Sequence, residues 1–374
     1  MRRLPVTILL ATILGIAAST SFAGRFLTDW NWKDKYKGDK ELPADTGWGP
    51  DILEGYESRF VTQPEAFDGP CRSTIIRKLV QDKDKDKDKK SLNAWKSGKS
   101  RKAFLYVHGF NDYFFQKEMG ERYVDSGYNF YAVDLRRYGR SRLPWQYPFN
   151  VRKLDEYFAD IDSALAQIRR DGNTDITLGG HSTGGLTVTY YAAKRGARVG
   201  VNRVVTNSPF YEWNFSDAMR GVAIPMVTGL GGIFPSIDVP QGHCDGYAYS
   251  LLKEYHGEWT YNTDWKMIYS PPVKSGWVRA ISRGQSYIMR NGRNITVPLL
   301  VMHSSRKIDG CNWTPEFQTG DCVLNPFHIA ERAEKLGQPD TRRICTIDSG
   351  IHDLILSRRA VRDATYDTIF SFIR

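Results

Sequence analysis

Apolar residues recur along this chain with two different periods, and the two alternate. Ser73 to Val80 alternates apolar and polar positions as a half-buried strand does. Lys102–Val107 (Lys-Ala-Phe-Leu-Tyr-Val) is the continuous apolar run of a fully buried strand, and Tyr128–Leu135, Asp175–Leu178 and Val201–Thr206 also read as strands. Between them, Leu154, Phe158, Ile161, Leu165 and Ile168 fall at helical spacing with charges on the other face, and Leu186–Lys194 reads as a second helix. Strand, helix, strand, helix in this order predicts an α/β fold built on a mostly parallel, doubly wound sheet.

The alternation stops from Asn207 to about Arg293. Phe210, Trp213, Met219, Met226 and Phe234 gather there among many glycines. This stretch is read as an inserted cap or lid with two helical pieces. Its makeup suits a pocket for an apolar chain, although most of these side chains serve as the cap's own core. The pattern resumes with a strand over Ile295–His303, an irregular loop over Ser304–Gly320 and a helix over Phe327–Leu336. A last strand, Arg343–Ile347, and a C-terminal helix from Ser357 to Ile373 complete it. The expected organisation is a signal peptide (1–23), an irregular N-terminal arm (24–72), core (73–206), cap (207–293) and core again (294–374).

Composition adds three points. Arg2 and Arg3, the apolar run Leu4–Ala18 and Ser21-Phe22-Ala23 form a secretory signal, so the mature protein is expected to be secreted or periplasmic. The formal net charge is +10, of which Arg2 and Arg3 would leave with the signal. Such a balance is compatible with contact with an anionic membrane surface and equally with solubility alone. There is no concentrated basic helix and no nucleic-acid motif, so nucleic acid is not an expected partner. Residues 82–90 alternate Asp and Lys and read as a solvated loop. The lysines cancel the charge a calcium site would need. Of the five cysteines, Cys311 and Cys322 are the expected pair, Cys345 is expected to be a buried free thiol, and no spacing resembles a zinc site.

The chemistry centres on Gly180-His181-Ser182-Thr183-Gly184, which a strand pattern enters and a helix pattern leaves. Such an elbow exposes a serine hydroxyl on a strained turn at a helix N-terminus, with small neighbours where backbone passes close. A serine hydroxyl is a weak nucleophile and needs a base held by an acid. His352 follows the last strand, where an imidazole reaches the carboxyl edge of the sheet; His303 and His328 are poorer rivals. The acid is Asp321 or Asp309, both after the Ile295–His303 strand, with Asp321 favoured because it precedes a helix; Asp353 would point away from the base. The backbone N–H groups of Phe110 and Thr183 are the expected oxyanion hole, with His108 orienting the first loop by hydrogen bonding.

The motifs His108-Gly109, Asp134-Leu-Arg-Arg-Tyr-Gly-Arg-Ser141, Gly180–Gly184, Gly320–Pro326 and Gly350–Asp353 resemble those of serine α/β-hydrolases. Within that fold they are similar to the lysophospholipase or monoacylglycerol lipase-like family of serine aminopeptidase S33 type, from Lys102 to the C-terminus. The resemblance implies a Ser182–Asp321–His352 triad, Phe110 and Thr183 as oxyanion donors, no metal or organic cofactor, and a small-molecule or lipid ester substrate. There is one departure. The family commonly carries its acid in a Gly-x-x-Asp turn just after the penultimate strand. Here that place reads His303-Ser-Ser-Arg-Lys307, and the acid comes only at Asp321, as if a loop had been inserted. A peptidase using Asp217, Asp238 or Asp245 to hold a substrate amine, an acyltransferase, and a non-catalytic binding protein on the same scaffold are the rival readings. An intact Ser, Asp and His argues against the last.

Overall fold

The computed structural model describes residues 40–45, 47–81, 100–242 and 244–374. The signal-like segment and the Lys/Asp run at 82–90 lie outside the described residues.

The strands in chain order are β1 (Gly49–Pro50), β2 (Glu57–Ala66), β3 (Gly69–Lys78), β4 (Lys102–Val107), β5 (Asn129–Asp134), β6 (Asp175–His181), β7 (Arg203–Asn207), β8 (Asp238–Val239), β9 (Val273–Lys274), β10 (Leu299–Ser304) and β11 (Arg342–Ile347). All but β8 and β9 join a nine-stranded sheet ordered β1-β2-β3-β5-β4-β6-β7-β10-β11. From β5 to β11 every neighbouring pair is parallel. The helices are α1 (Lys117–Asp125), α2 (Phe158–Arg170), α3 (Thr183–Arg195), α4 (Ile224–Ile233), α5 (Gly246–Leu251), α6 (Ser275–Asn291), α7 (Pro326–Ala333) and α8 (Arg359–Ile373).

Parallel strands covered on both faces need apolar side chains on both, and the central strands supply them alternately. Leu105, Val107, Leu178, Val204 and Val301 pack on one face with Ile161, Leu165 and Leu186. Phe104, Tyr106, Val205, Leu300 and Met302 pack on the other with Met119, Tyr123, Tyr366 and Ile369. Each such side chain contributes about 1.5–3 kcal/mol on burial. Register then sets the site. Val107 lies opposite Gly180, His181 opposite Asn207, Met302 opposite Asn207, and Ser304 opposite Ile347. The loops that follow these strands therefore open at one edge.

Two boundaries differ from the sequence expectation. The arm is not irregular throughout: β2 lies inside it and pairs antiparallel with β3. Its Phe60 and Val61 are held by strand pairing rather than by a strong period of their own. The cap also ends earlier than 293. Residues 275–291 form α6, whose face of Trp277, Val278, Ile281 and Ile288 is buried, and which packs on α3 of the core. A helical apolar stripe assigns α6 to the core layer.

The Asp134–Ser141 motif ties the arm to the core. Arg140 pairs with Asp134 and Asp51, each at 2.8 Å, Arg136 with Asp160 at 2.7 Å and Arg137 with Asp68 at 2.6 Å. These three arginines are buried, so part of the basic charge is internal and paired.

Candidate active site

Ser182 stands between β6 and α3 with φ 54° and ψ −118°, a conformation that non-glycine residues seldom adopt. The turn is enforced from both sides. Its N–H donates to the Asn207 carbonyl at 3.0 Å, and its carbonyl accepts from Phe210 N–H at 2.9 Å. At Gly184 a side chain would run into the Val107 and His108 carbonyls.

His352 Nε2 lies 3.0 Å from Ser182 Oγ, and His352 Nδ1 lies 2.9 Å from Asp321 Oδ2. A carboxylate only accepts, so Nδ1 carries the proton and Nε2 presents its lone pair to the serine hydroxyl. All three side chains are buried, Ser182 at 8 % exposure, His352 at 3 % and Asp321 at 0 %. The second carboxylate oxygen of Asp321 accepts from Val323 and Leu324 N–H, both at 2.8 Å.

The inserted loop does not displace the acid. Residues 305–320 fold back so that Asp321 pairs with Lys307. Asp321 N–H donates to the Arg306 carbonyl, and Ile308 N–H to the Asp321 carbonyl, each at 2.8 Å. Asp321 thus occupies the space beside the end of β10, though it lies far along the chain. Asp309 is exposed and pairs with Lys307. His303 turns its ring to its own neighbour's carbonyl, at 2.8 Å from Ser304 O, and His328 is on α7.

Of the expected oxyanion donors, Thr183 directly follows the serine and Phe110 follows Gly109, which touches the elbow. Thr183 opens α3, so its N–H is one of the free amides of a helix N-terminus. Gly109 presses on the elbow: a Cβ there would come within 3.1 Å of Ser182 Cβ. Phe110 follows, with its ring 5.2 Å from that of Phe149 and 4.8 Å from that of Trp277, in a shallow surface depression that Tyr147 and Pro272 also line. His108 Nε2 accepts from Leu135 N–H at 3.1 Å, so its Nδ1 donates to the Gly109 carbonyl at 2.8 Å.

Sequence reasoning missed Asn207. Its carbonyl holds Ser182. Its side chain donates to Asp353 Oδ1 at 2.6 Å and accepts from Leu354 N–H at 3.2 Å. One residue at the end of β7 so joins the serine turn to the histidine loop. The available signal was its register opposite His181, which a single strand does not reveal.

Asp112, His181 and Asp353 are buried with potential metal-ligand atoms within 4.8 Å of one another. Lys266 Nζ already sits there, 3.0 Å from Asp112 Oδ1, and supplies the positive charge such a cluster needs. Burial would raise Asp112, but the Lys266 ammonium and its hydrogen bond outweigh it and hold the carboxyl below its ordinary value. Burial, with help from His352 and Lys266, lowers His181 despite Asp353.

The disulfide differs from expectation. Cys244 pairs with Cys311, and Cys322 is free. Gly246 N–H donates to the Cys311 carbonyl at 2.9 Å and brings the two segments together. Cys322, next to Asp321, is turned inward, and burial followed by the Asp321 charge raises its thiol. Cys345 is only half-buried, because β11 is the sheet edge.

This strand order, with a serine on the turn after β6, defines the α/β-hydrolase fold. A family model described as serine aminopeptidase, S33 matches residues 98–307, more than half of the chain, and the protein belongs to that family. No curated protein matches the chain in sequence. Among solved structures, the monoacylglycerol lipase of Paleococcus ferrophilus is similar at 18 % identity and TM-score 0.54, over 73 % of this chain and 95 % of that one. A soluble variant of monoglyceride lipase from Saccharomyces cerevisiae is similar at 14 % identity and TM-score 0.56, over 83 % of this chain and 94 % of that one. A thioesterase domain from the curacin biosynthetic pathway is similar at 14 % identity and TM-score 0.50, over 83 % and 99 %.

Proposed function

We propose that this protein is an exported serine hydrolase that cleaves carboxylic esters of lysophospholipid or monoacylglycerol type. The observation that carries the reading is the buried array in which Ser182 meets His352 at 3.0 Å and His352 meets Asp321 at 2.9 Å. Ser182 Oγ attacks the ester carbonyl while His352 Nε2 takes its proton. The Phe110 and Thr183 N–H groups receive the oxyanion, and Asp321 compensates the imidazolium. The intermediate collapses as His352 returns the proton to the leaving alcohol. Water, deprotonated by the same imidazole, then releases the acid from the acyl-enzyme. Export rests on the pattern of residues 1–23.

A peptidase would need a free cap carboxylate for the substrate's amine. Asp217 is paired with Arg220 and Asp238 with Lys274, which favours the ester reading; Asp245 accepts from the Tyr269 hydroxyl at 3.4 Å through one carboxylate oxygen only.

The test is hydrolysis of p-nitrophenyl esters from acetate to palmitate by the wild type and Ser182→Ala. Loss on the order of 10⁴-fold or more in the variant is expected. A variant that keeps its rate, or a wild type that neither hydrolyses esters nor labels with a fluorophosphonate, overturns the reading.

A further inference from the structure

The sheet orients the serine turn directly, but the loop after β4 leaves the sheet at His108, and Phe110 lies beyond it. The residues directly after Phe110 find hydrogen-bond partners in the cap. Asn111 has φ 48°, a left-handed conformation that needs support. Its side chain donates to the Met267 carbonyl at 2.7 Å and to Ser270 Oγ at 3.0 Å, and accepts from Met267 N–H at 2.7 Å. The next residue, Asp112, accepts from Lys266 Nζ at 3.0 Å, the two side chains being 2 % and 8 % exposed. The other carboxylate oxygen of Asp112 reaches back to Gly109 N–H at 3.4 Å. Tyr113 Oη accepts from Asn262 N–H at 2.8 Å. Three consecutive residues after Phe110 are thus fastened to cap residues 262–270.

We infer that Asn111 and Lys266 are positioning residues that set the Phe110 N–H toward the developing oxyanion, making cap segment 262–270 a fixed part of the catalytic apparatus rather than of a moving lid. The inference rests on Phe110 N–H being an oxyanion donor, as proposed above. The physical reason is that an oxyanion donor works by being aimed beforehand. A loop with a left-handed residue next to the donor re-aims it by rotating one peptide, and the Asn111 amide prevents that rotation by binding both the N–H and the carbonyl of Met267.

The test uses Asn111→Gly, because glycine accepts the positive φ and removes only the side-chain hydrogen bonds. Wild type and variant are compared for kcat and KM on a p-nitrophenyl ester, for inhibition by an alkyl trifluoromethyl ketone, and for melting temperature. The expected result is a folded protein with kcat lowered about 10²-fold, KM within about 3-fold, and ketone affinity weakened by the same factor as kcat/KM, since the ketone adduct uses the same donors. A general structural role would instead lower melting temperature and active fraction without weakening the ketone selectively. If Asn111→Gly does not fold, the double variant Asp112→Asn with Lys266→Met breaks the second tie without leaving a buried charge unpaired, and the same pattern is expected. A folded variant with wild-type kcat and ketone affinity overturns the inference while the hydrolase reading stands. A wild type inert to ester and fluorophosphonate overturns both.

Discussion

Residues 219–234 and residues 262–270 both belong to the cap, and they differ in what they bury: the apolar segment leaves large side chains exposed, whereas the second buries the ammonium of Lys266. The first segment is almost wholly apolar, yet Met219, Val222, Ile233 and Phe234 are 42 %, 60 %, 72 % and 56 % exposed, and within α4 only Gly231 is buried. In the second, Asn262 and Asp264 are exposed, but Lys266 is 6 % exposed and its ammonium meets a buried carboxylate. Hydrophobicity alone would reverse this order. A buried polar group is tolerated where every partner is present, and such a group fixes one geometry. An apolar run left in water fixes none.

The largest effect is expected from breaking the anchored segment. Lys266→Met leaves Asp112 buried without its ammonium and should cost about 3–5 kcal/mol in urea unfolding. A loss under about 1 kcal/mol would mean that the ion pair does not anchor the cap. Next comes the covalent tie beside it: Cys244→Ser with Cys311→Ser opens a crosslink spanning 67 residues and should cost about 2–4 kcal/mol under oxidising conditions.

Acidification should act through two buried histidines, of which His181 lies near Asp112 of the anchored loop. Burial depresses His181 and His303 below the usual 6.5. Between the folded value and 6.5 the unfolded chain binds more protons, so stability is full above 6.5 and falls as pH drops through that window. Unfolding midpoints from pH 7.5 to 5 should show the decline, and His303→Asn should flatten it. A flat wild-type profile would contradict the burial argument. The smallest stability change is expected in the exposed segment. Val222→Gln with Ile233→Gln should stay within about 0.5 kcal/mol while raising KM for the palmitate ester several-fold and leaving acetate unchanged. Equal KM values for both esters would show that the exposed apolar face takes no part in substrate capture.

Much of the core was legible in the sequence. Buried parallel strands are continuous apolar runs; β4 read that way with both ends as expected, and β5 and β7 with ends off by a residue or two. The Gly-x-Ser-x-Gly pattern located the turn because its glycines answer local crowding. β2 was not legible, since Glu57–Ala66 is half-buried with no strict alternation. The disulfide was misread because nearness along the chain was taken for nearness in space. Asn207 and Lys266 gave no signal, for a polar residue declares its role only through partners far along the chain.

The sequence by itself determined where the strands and helices of the core run and that Ser182 lies between one of each, because period and turn chemistry act over a few residues. Tertiary structure alone decided that Asp321 returns to the end of β10, that Cys244 finds Cys311, and that residues 262–270 hold the loop of Phe110. Each of these is a contact between distant segments, set by sheet register and by the need of buried polar groups for partners.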